Sequence, residues 1–148
     1  MVKLCSACLL GINCKFDGQS KIYGRVLNLT KDEVLIPVCP ELFGGQATPR
    51  PDAEIVGGTG EDVLNGKARV LEKDGNDVTL KFTRGAEEVL KIAKLYGIKE
   101  AILKQRSPSC GSGEISDGTF FRSHRKGDGV TTALLKKNGI KVISEEDL

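Results

Sequence analysis

A chain of 148 residues with 39% apolar and 28% charged residues suits one globular domain with a core, and is too short for two ordinary ones. Its formal net charge of +2 excludes the broad basic footprint of a nucleic-acid binder and any general attraction to an anionic bilayer. No apolar run approaches the roughly 18 residues that cross a membrane, and the N-terminal MVKLCSACLLG lacks the flanks of a secretory signal.

VKLCSA reads as a first strand, followed by the loop LGINCKFDGQS, which Gly11, Asp17 and Gly18 break. KIYGRVLNL suits a short helix, weakened by Gly24. Glu33 to Val38, EVLIPV, is the apolar run of a buried strand and ends directly at a Pro/Gly-rich loop, CPELFGGQATPRPDAE. AEIVGG and KARVLE are strand-like, with TGEDVLNG between them as a turn or helical turn, and KDGND follows as a loop. The clearest helix runs from Val78 to Tyr96, where Phe82, Ala86, Val89, Ala93 and Tyr96 recur at spacings of four and three, with Gly97 just past its end. IKEAILK is the next strand and runs into QRSPSCGSG; DGVTTALLKKNG is a last helix stopped by Gly139, and IKVIS a last strand. No period of 20 to 50 residues repeats. This alternation predicts a single α/β domain over residues 1–148, its mostly parallel sheet flanked by helices in a Rossmann-like three-layer sandwich.

The five cysteines, Cys5, Cys8, Cys14, Cys39 and Cys110, are odd in number and spread along the chain. In the expected cytoplasmic compartment that pattern argues for metal or catalysis over cross-linking. The one histidine, His124, lies in a polar stretch and suggests neither a Cys2His2 site nor a catalytic triad. Three cysteine-bearing loops, SACLLGINC, CPELFGG and QRSPSCG, each leave the C-terminal end of a strand, the edge where open α/β sheets bind ligands. Cys8, Cys14, Cys39 and Cys110 can therefore meet, whereas Cys5 sits inside the first strand as a small core residue.

Two inorganic groups suit such a set. Four thiolates can close a structural zinc site, but only Cys5-Ser6-Ala7-Cys8 has knuckle spacing and its counterpart is missing, so zinc ranks second. Three thiolates from separate loops can hold three irons of a 4Fe–4S cube and leave the fourth as an open Lewis-acid position. Glycines 11, 44, 45, 111 and 113 stand beside these cysteines and let backbone approach a bulky group.

SACLLGINCKFDG, PVCPELFGGQATPR, LKQRSPSCGSG and GDGVTTALL, in this order over nearly the whole chain, resemble the short-form thiouracil desulfidase family, formerly a domain of unknown function. The resemblance implies an α/β fold and a non-redox desulfidase of cytoplasmic type acting on a thiolated pyrimidine such as 2-thiouracil. It implies a 4Fe–4S cluster with one iron not ligated by protein, held by Cys8, Cys39 and Cys110, and a catalytic pair, Glu41 and Ser107. Cys5 departs from the family, which more often has a plain apolar residue there, while Cys14 matches a family cysteine whose part stays open between ligand and support. The implied partner is a small thiolated nucleobase or nucleoside, with neither membrane nor nucleic acid expected.

The residue chemistry agrees. Soft iron prefers a thiocarbonyl sulfur to an oxygen. Glu41, two residues from Cys39, is placed to hold and deprotonate a water, or else to pair with Arg50 as an ordinary surface carboxylate. Ser107 can donate to the substrate ring or to developing charge, or serve only as a turn residue before Pro108. KGDGV caps the last helix, with or without lining the site, and RSHRK reads as a solvated basic edge. The rival readings are a zinc- or cluster-stabilised binding module, and a sulfur transferase or redox sensor.

Overall fold

The computed structural model describes residues Met1–Leu148. In chain order its elements are β1 (Val2–Ser6), α1 (Gly24–Leu29), β2 (Val34–Val38), α2 (Pro40–Phe43), β3 (Ala53–Val56), α3 (Gly60–Leu64), β4 (Arg69–Glu72), α4 (Thr79–Leu95), β5 (Glu100–Leu103), β6 (Glu114–Ser116), β7 (His124–Lys126), α5 (Val130–Lys137) and β8 (Lys141–Ser144). Short 3-10 turns follow β1 at Ala7–Leu10 and β8 at Glu145–Asp147.

The strands expected at VKLCSA, EVLIPV, IKEAILK and IKVIS pair as one parallel sheet in the order β2-β1-β5-β8. Side chains alternate between its faces, and each face finds its own cover. Leu4, Val38, Ala101, Leu103 and Val142 pack with Val89 and Ala93 of α4 and Leu135 of α5. Their neighbours Cys5 and Ile102, with the half-buried Leu35 and Ile143, turn to the opposite face against Leu9 and Val26 of α1. Both faces are covered by apolar contacts, which gives the expected three-layer sandwich. No helix is long and apolar enough to cross a membrane.

Other expectations need correction. AEIVGG and KARVLE are strands, but β3 and β4 pair antiparallel with one another outside the central sheet. Their inward residues Ala53, Ile55 and Val70 build a second core with Val63 of α3, Phe82 and Ala86 of α4, and Val130 of α5. Tyr96 does not continue the α4 stripe: the helix ends one residue earlier and Tyr96 is 63% exposed. The stretch around His124 is a second antiparallel hairpin, β6–β7, whose outer strand is wholly exposed.

Two features set the site. The sheet order reverses direction at β1, so β1 and β5 flank a topological switch point, and loops at their C-terminal ends open into the crevice there. The short helix α2, which starts at that edge, is fixed by a very close crossing with α4. A Cβ at Gly85 would overlap the Pro40 carbonyl, and one at Gly44 would overlap the Lys81 carbonyl. Only glycine at both positions lets α2 lie this near, which holds Cys39 and Glu41 against the rigid long helix.

Candidate active site

Three loops build the site. The first begins where β1 ends: Ser6 is followed by the 3-10 turn carrying Cys8, closed by Gly11 at a left-handed φ of 96°. Beyond it, Asp17 makes the expected turn, its Oδ1 accepting from the Gln19 N–H at 3.0 Å. Cys14 is buried just before this turn.

The second loop begins where β2 ends. Ser6 and Val38 are register partners, so the two strands stop together. Cys39 is the N-cap residue of α2, Pro40 its first residue, and Glu41 lies in the first turn. Proline at that position supplies the preset φ of a helix start, and an acidic residue suits the exposed N–H groups there. That signature lies inside a Pro/Gly-rich stretch whose composition is that of a loop.

The third loop, after β5, is the most heavily braced. The Lys104 N–H donates to Ser6 Oγ at 2.8 Å, tying the loop to the end of β1. The Gln105 N–H donates to the buried Glu145 carboxylate at 2.7 Å, while its amide closes the loop by exchanging two hydrogen bonds, both 2.8 Å, with the Ser112 backbone. Arg106 holds Glu114 at 2.9 Å and grips both oxygens of Glu146 at 2.6 and 2.8 Å. Ser107 Oγ accepts the N–H groups of Ser109 and Cys110, both at 3.1 Å, so its predicted turn role is real. The start of α5 supplies the last brace: the N–H groups of Val130 and Thr131 donate to the Pro108 and Ser109 carbonyls at 2.8 and 2.9 Å, and Thr132 Oγ1 donates to the Cys110 carbonyl at 2.8 Å. Asp128 Oδ1 accepts from the Gly113 N–H at 2.8 Å. GDGV thus supports the Cys110 loop from behind.

A cavity of about 260 Å³ opens between these loops, lined by Cys8, Cys14, Cys39, Cys110, Glu41 and Ser107 together with Arg50, Ser109 and Phe16. Every residue expected at the site reaches it. Cys5 does not line the cavity; it is fully buried inside β1, in the same apolar cluster as Cys8 and Cys14.

The ion pair of Glu41 with Arg50 also forms, Nε to Oε1 at 3.0 Å, but it is no ordinary surface pair. The two side chains are 16% and 5% exposed. Arg50 further donates to the Ala47 carbonyl and Thr48 Oγ1, each at 3.1 Å, and to the Cys14 carbonyl at 2.8 Å. It joins the first and second loops through a contact 36 residues apart in sequence. The second carboxylate oxygen of Glu41 accepts from Ser109 Oγ at 3.0 Å, and Ser109 Oγ lies 2.9 Å from Ser107 Oγ. Ser109 is the site residue the sequence did not single out; beside a proline, next to a cysteine, it looks like one more turn residue.

The surroundings of Cys14, Cys39 and Cys110 favour the protonated thiol. Burial pushes Cys110 up to about 12. Hydrogen bonding to Cys14, then burial, raises Cys39 far above the ordinary thiol range. Cys14 sits between its neighbours: its bond with Cys39 lowers it, but its bond with Cys8 and burial outweigh that and leave it at about 11. Buried thiols of this kind become thiolates against a positive partner, as metal binding requires. No three cysteine, histidine or carboxylate side chains converge closely enough for a single metal ion. Thiols on three loops around an open cavity fit a larger, thiolate-held group, and a 4Fe–4S cube has that size and ligand preference.

Fold and site together define an α/β protein with a thiol-lined ligand cavity, flanked by a fixed carboxylate, at the switch point of its parallel sheet. The chain belongs to the 2-thiouracil desulfurase family, whose sequence profile matches residues 4–147. It is 48% identical over 145 residues to the uncharacterized protein YbbK of Bacillus subtilis (strain 168), covering 98% of this chain and 96% of that protein. Among solved structures it is similar to the [4Fe-4S]-dependent thiouracil desulfidase TudS (DUF523Vcz), with a TM-score of 0.86 and 43% identity over 99% of this chain and 91% of that one.

Proposed function

We propose that this chain is a 4Fe–4S-dependent desulfidase that hydrolyses the C=S bond of a small thiolated nucleobase such as 2-thiouracil. Water supplies the oxygen of the new carbonyl, sulfur leaves as sulfide, and no electrons are gained or lost. The observation that carries this reading is the meeting of three loop cysteines and a two-sided, hydrogen-bonded carboxylate around one cavity. Family membership and the likeness to TudS support it, and nothing in them favours a mere binding module.

Cys8, Cys39 and Cys110 would hold the cluster, each following the end of a different parallel strand; Cys14, on the far side of its turn, would be a supporting thiol. When bound, the group supplies a soft Lewis acid, through an iron without a protein ligand, for the thiocarbonyl sulfur. Glu41 is the general base. Arg50 and Ser109 occupy one site on each of its oxygens, and a carboxylate has about four lone-pair sites, so room remains for a water. Glu41 takes the proton of that water as its oxygen attacks the ring carbon, and can return it to the departing sulfur. Ser109 donates to Glu41, which leaves Ser107 as the donor in its contact with Ser109. The Ser107 proton is shared with a neutral hydroxyl and not with the carboxylate, so it is the one a substrate acceptor can draw away. Phe16 is the one aromatic side chain on the cavity wall and suits a flat ring.

Anaerobic reconstitution with iron and sulfide is expected to give a brown protein with about four irons per chain. A colourless protein that binds zinc tightly and takes up no iron would overturn the reading.

A further inference from the structure

Ser109 has two separable attachments. Its backbone belongs to the Cys110 loop: the carbonyl accepts from the Thr131 and Thr132 N–H groups and the amide donates to Ser107 Oγ. The residue is only 1% exposed, and within its own loop the hydroxyl meets one side chain at short range, Ser107 Oγ at 2.9 Å, toward which it stands as acceptor while its own proton goes elsewhere. The hydroxyl points across to the second loop, where it meets Glu41 Oε2 at 3.0 Å, 68 residues away in sequence. Its contact with Cys110 Sγ, at 3.5 Å, is the longer one.

Arg50 alone leaves Glu41 one rotatable degree of freedom. A guanidinium bonded through Nε to a single oxygen fixes that oxygen and lets the carboxylate plane turn about it. The Ser109 hydroxyl takes the other oxygen and removes that rotation. It is also the one side-chain hydrogen bond that joins the Glu41 helix to the Cys110 loop, so it sets the carboxylate relative to the third proposed cluster ligand. A carboxylate acting on a water beside a fixed electrophile depends on that placement, since a misplacement of about 1 Å can cost on the order of 10²-fold.

We infer that Ser109 is a positioning residue of this enzyme, whose hydroxyl orients the Glu41 carboxylate toward the water, in distinction to Ser107, which lines the same cavity and makes no hydrogen bond to Glu41. The inference rests on Glu41 being the general base. Ser109→Ala removes the hydroxyl and leaves every backbone bond of the loop in place, so the chain is expected to fold and load iron normally. Its kcat for sulfide release is expected to fall by about 10- to 100-fold, the weight of a hydrogen bond to a charged group, with KM changed by no more than about twofold.

The test is a double-mutant cycle with Glu41→Gln, read as kcat, KM, iron content and visible absorbance of the reconstituted proteins. If Ser109 acts through Glu41, its loss has no further effect once the carboxylate is gone, and Glu41→Gln/Ser109→Ala turns over like Glu41→Gln alone. A full additional loss in the double variant overturns the proposal, because the hydroxyl then acts elsewhere. Wild-type kcat in Ser109→Ala, or loss of iron from it, also overturns it while a slow Glu41→Gln leaves the general base standing. A Glu41→Gln variant as fast as the wild type instead removes the base itself, and the proposal with it.

Discussion

Single replacement of Cys8, Cys39 or Cys110 by alanine is expected to abolish iron binding and sulfide release together. On the proposed ligand set each variant removes one of three anchors, and each anchor comes from a separate loop. The supports of these loops are themselves extensive. The Cys110 loop alone is held by Gln105, Glu145, Arg106 and the first turn of α5, so a lost thiol is not made good by a loop shift. Cys5→Ala is the control. Cys5 is fully buried inside β1 and does not line the cavity, and its truncation should cost about 1 kcal/mol of stability with the iron retained. Cys14→Ser should also keep its iron if that thiol only supports the others. Iron content and visible absorbance of the five variants check this. Bleaching of Cys5→Ala with a loaded Cys110→Ala would mean that the ligands had been assigned to the wrong loops.

Glu41→Gln is expected to lower turnover by about 10²- to 10⁴-fold, the usual contribution of a general base. The amide keeps the size of the side chain, and its oxygen can still accept from Arg50 Nε. Arg50 retains its bonds to the Ala47 and Cys14 carbonyls, so a stability loss of about 1–3 kcal/mol, not unfolding, is the expected cost of the missing charge. Cluster absorbance and substrate binding should stay normal. Single-turnover sulfide release under anaerobic conditions separates this from an ion-pair role, in which the rate would barely move.

Much of this arrangement was legible in the residues. VKLCSA, EVLIPV, IKEAILK and IKVIS are short and bounded by turn signals, and they hold the strands of the central sheet. Because ligand sites in such sheets gather at strand C-termini, the sequence alone brings Cys8, Cys14, Cys39 and Cys110 to one place. Elsewhere the pattern was silent. β6 and β7 have three residues each, too few for alternation to register, and β7 has no buried side at all. β3 and β4 carried strand signals, yet nothing local tells a strand which partner it will take. Helix α2 was announced by Pro40 after Cys39, but its four residues lie inside a run of glycines and prolines that reads as loop. The contacts that fix Glu41 were the least visible. Arg50 reaches the Cys14 carbonyl and Ser109 reaches Glu41 only through the folded chain, across separations that no periodicity records.

The most direct measurement is anaerobic incubation of the iron-loaded protein with 2-thiouracil and no reductant, following sulfide and uracil together. Hydrolysis predicts one sulfide and one uracil per thiouracil consumed, over many turnovers, with no dependence on added electrons. Sulfide release that stops without a reductant, or an iron-loaded protein that binds thiouracil and leaves it unchanged, would contradict it.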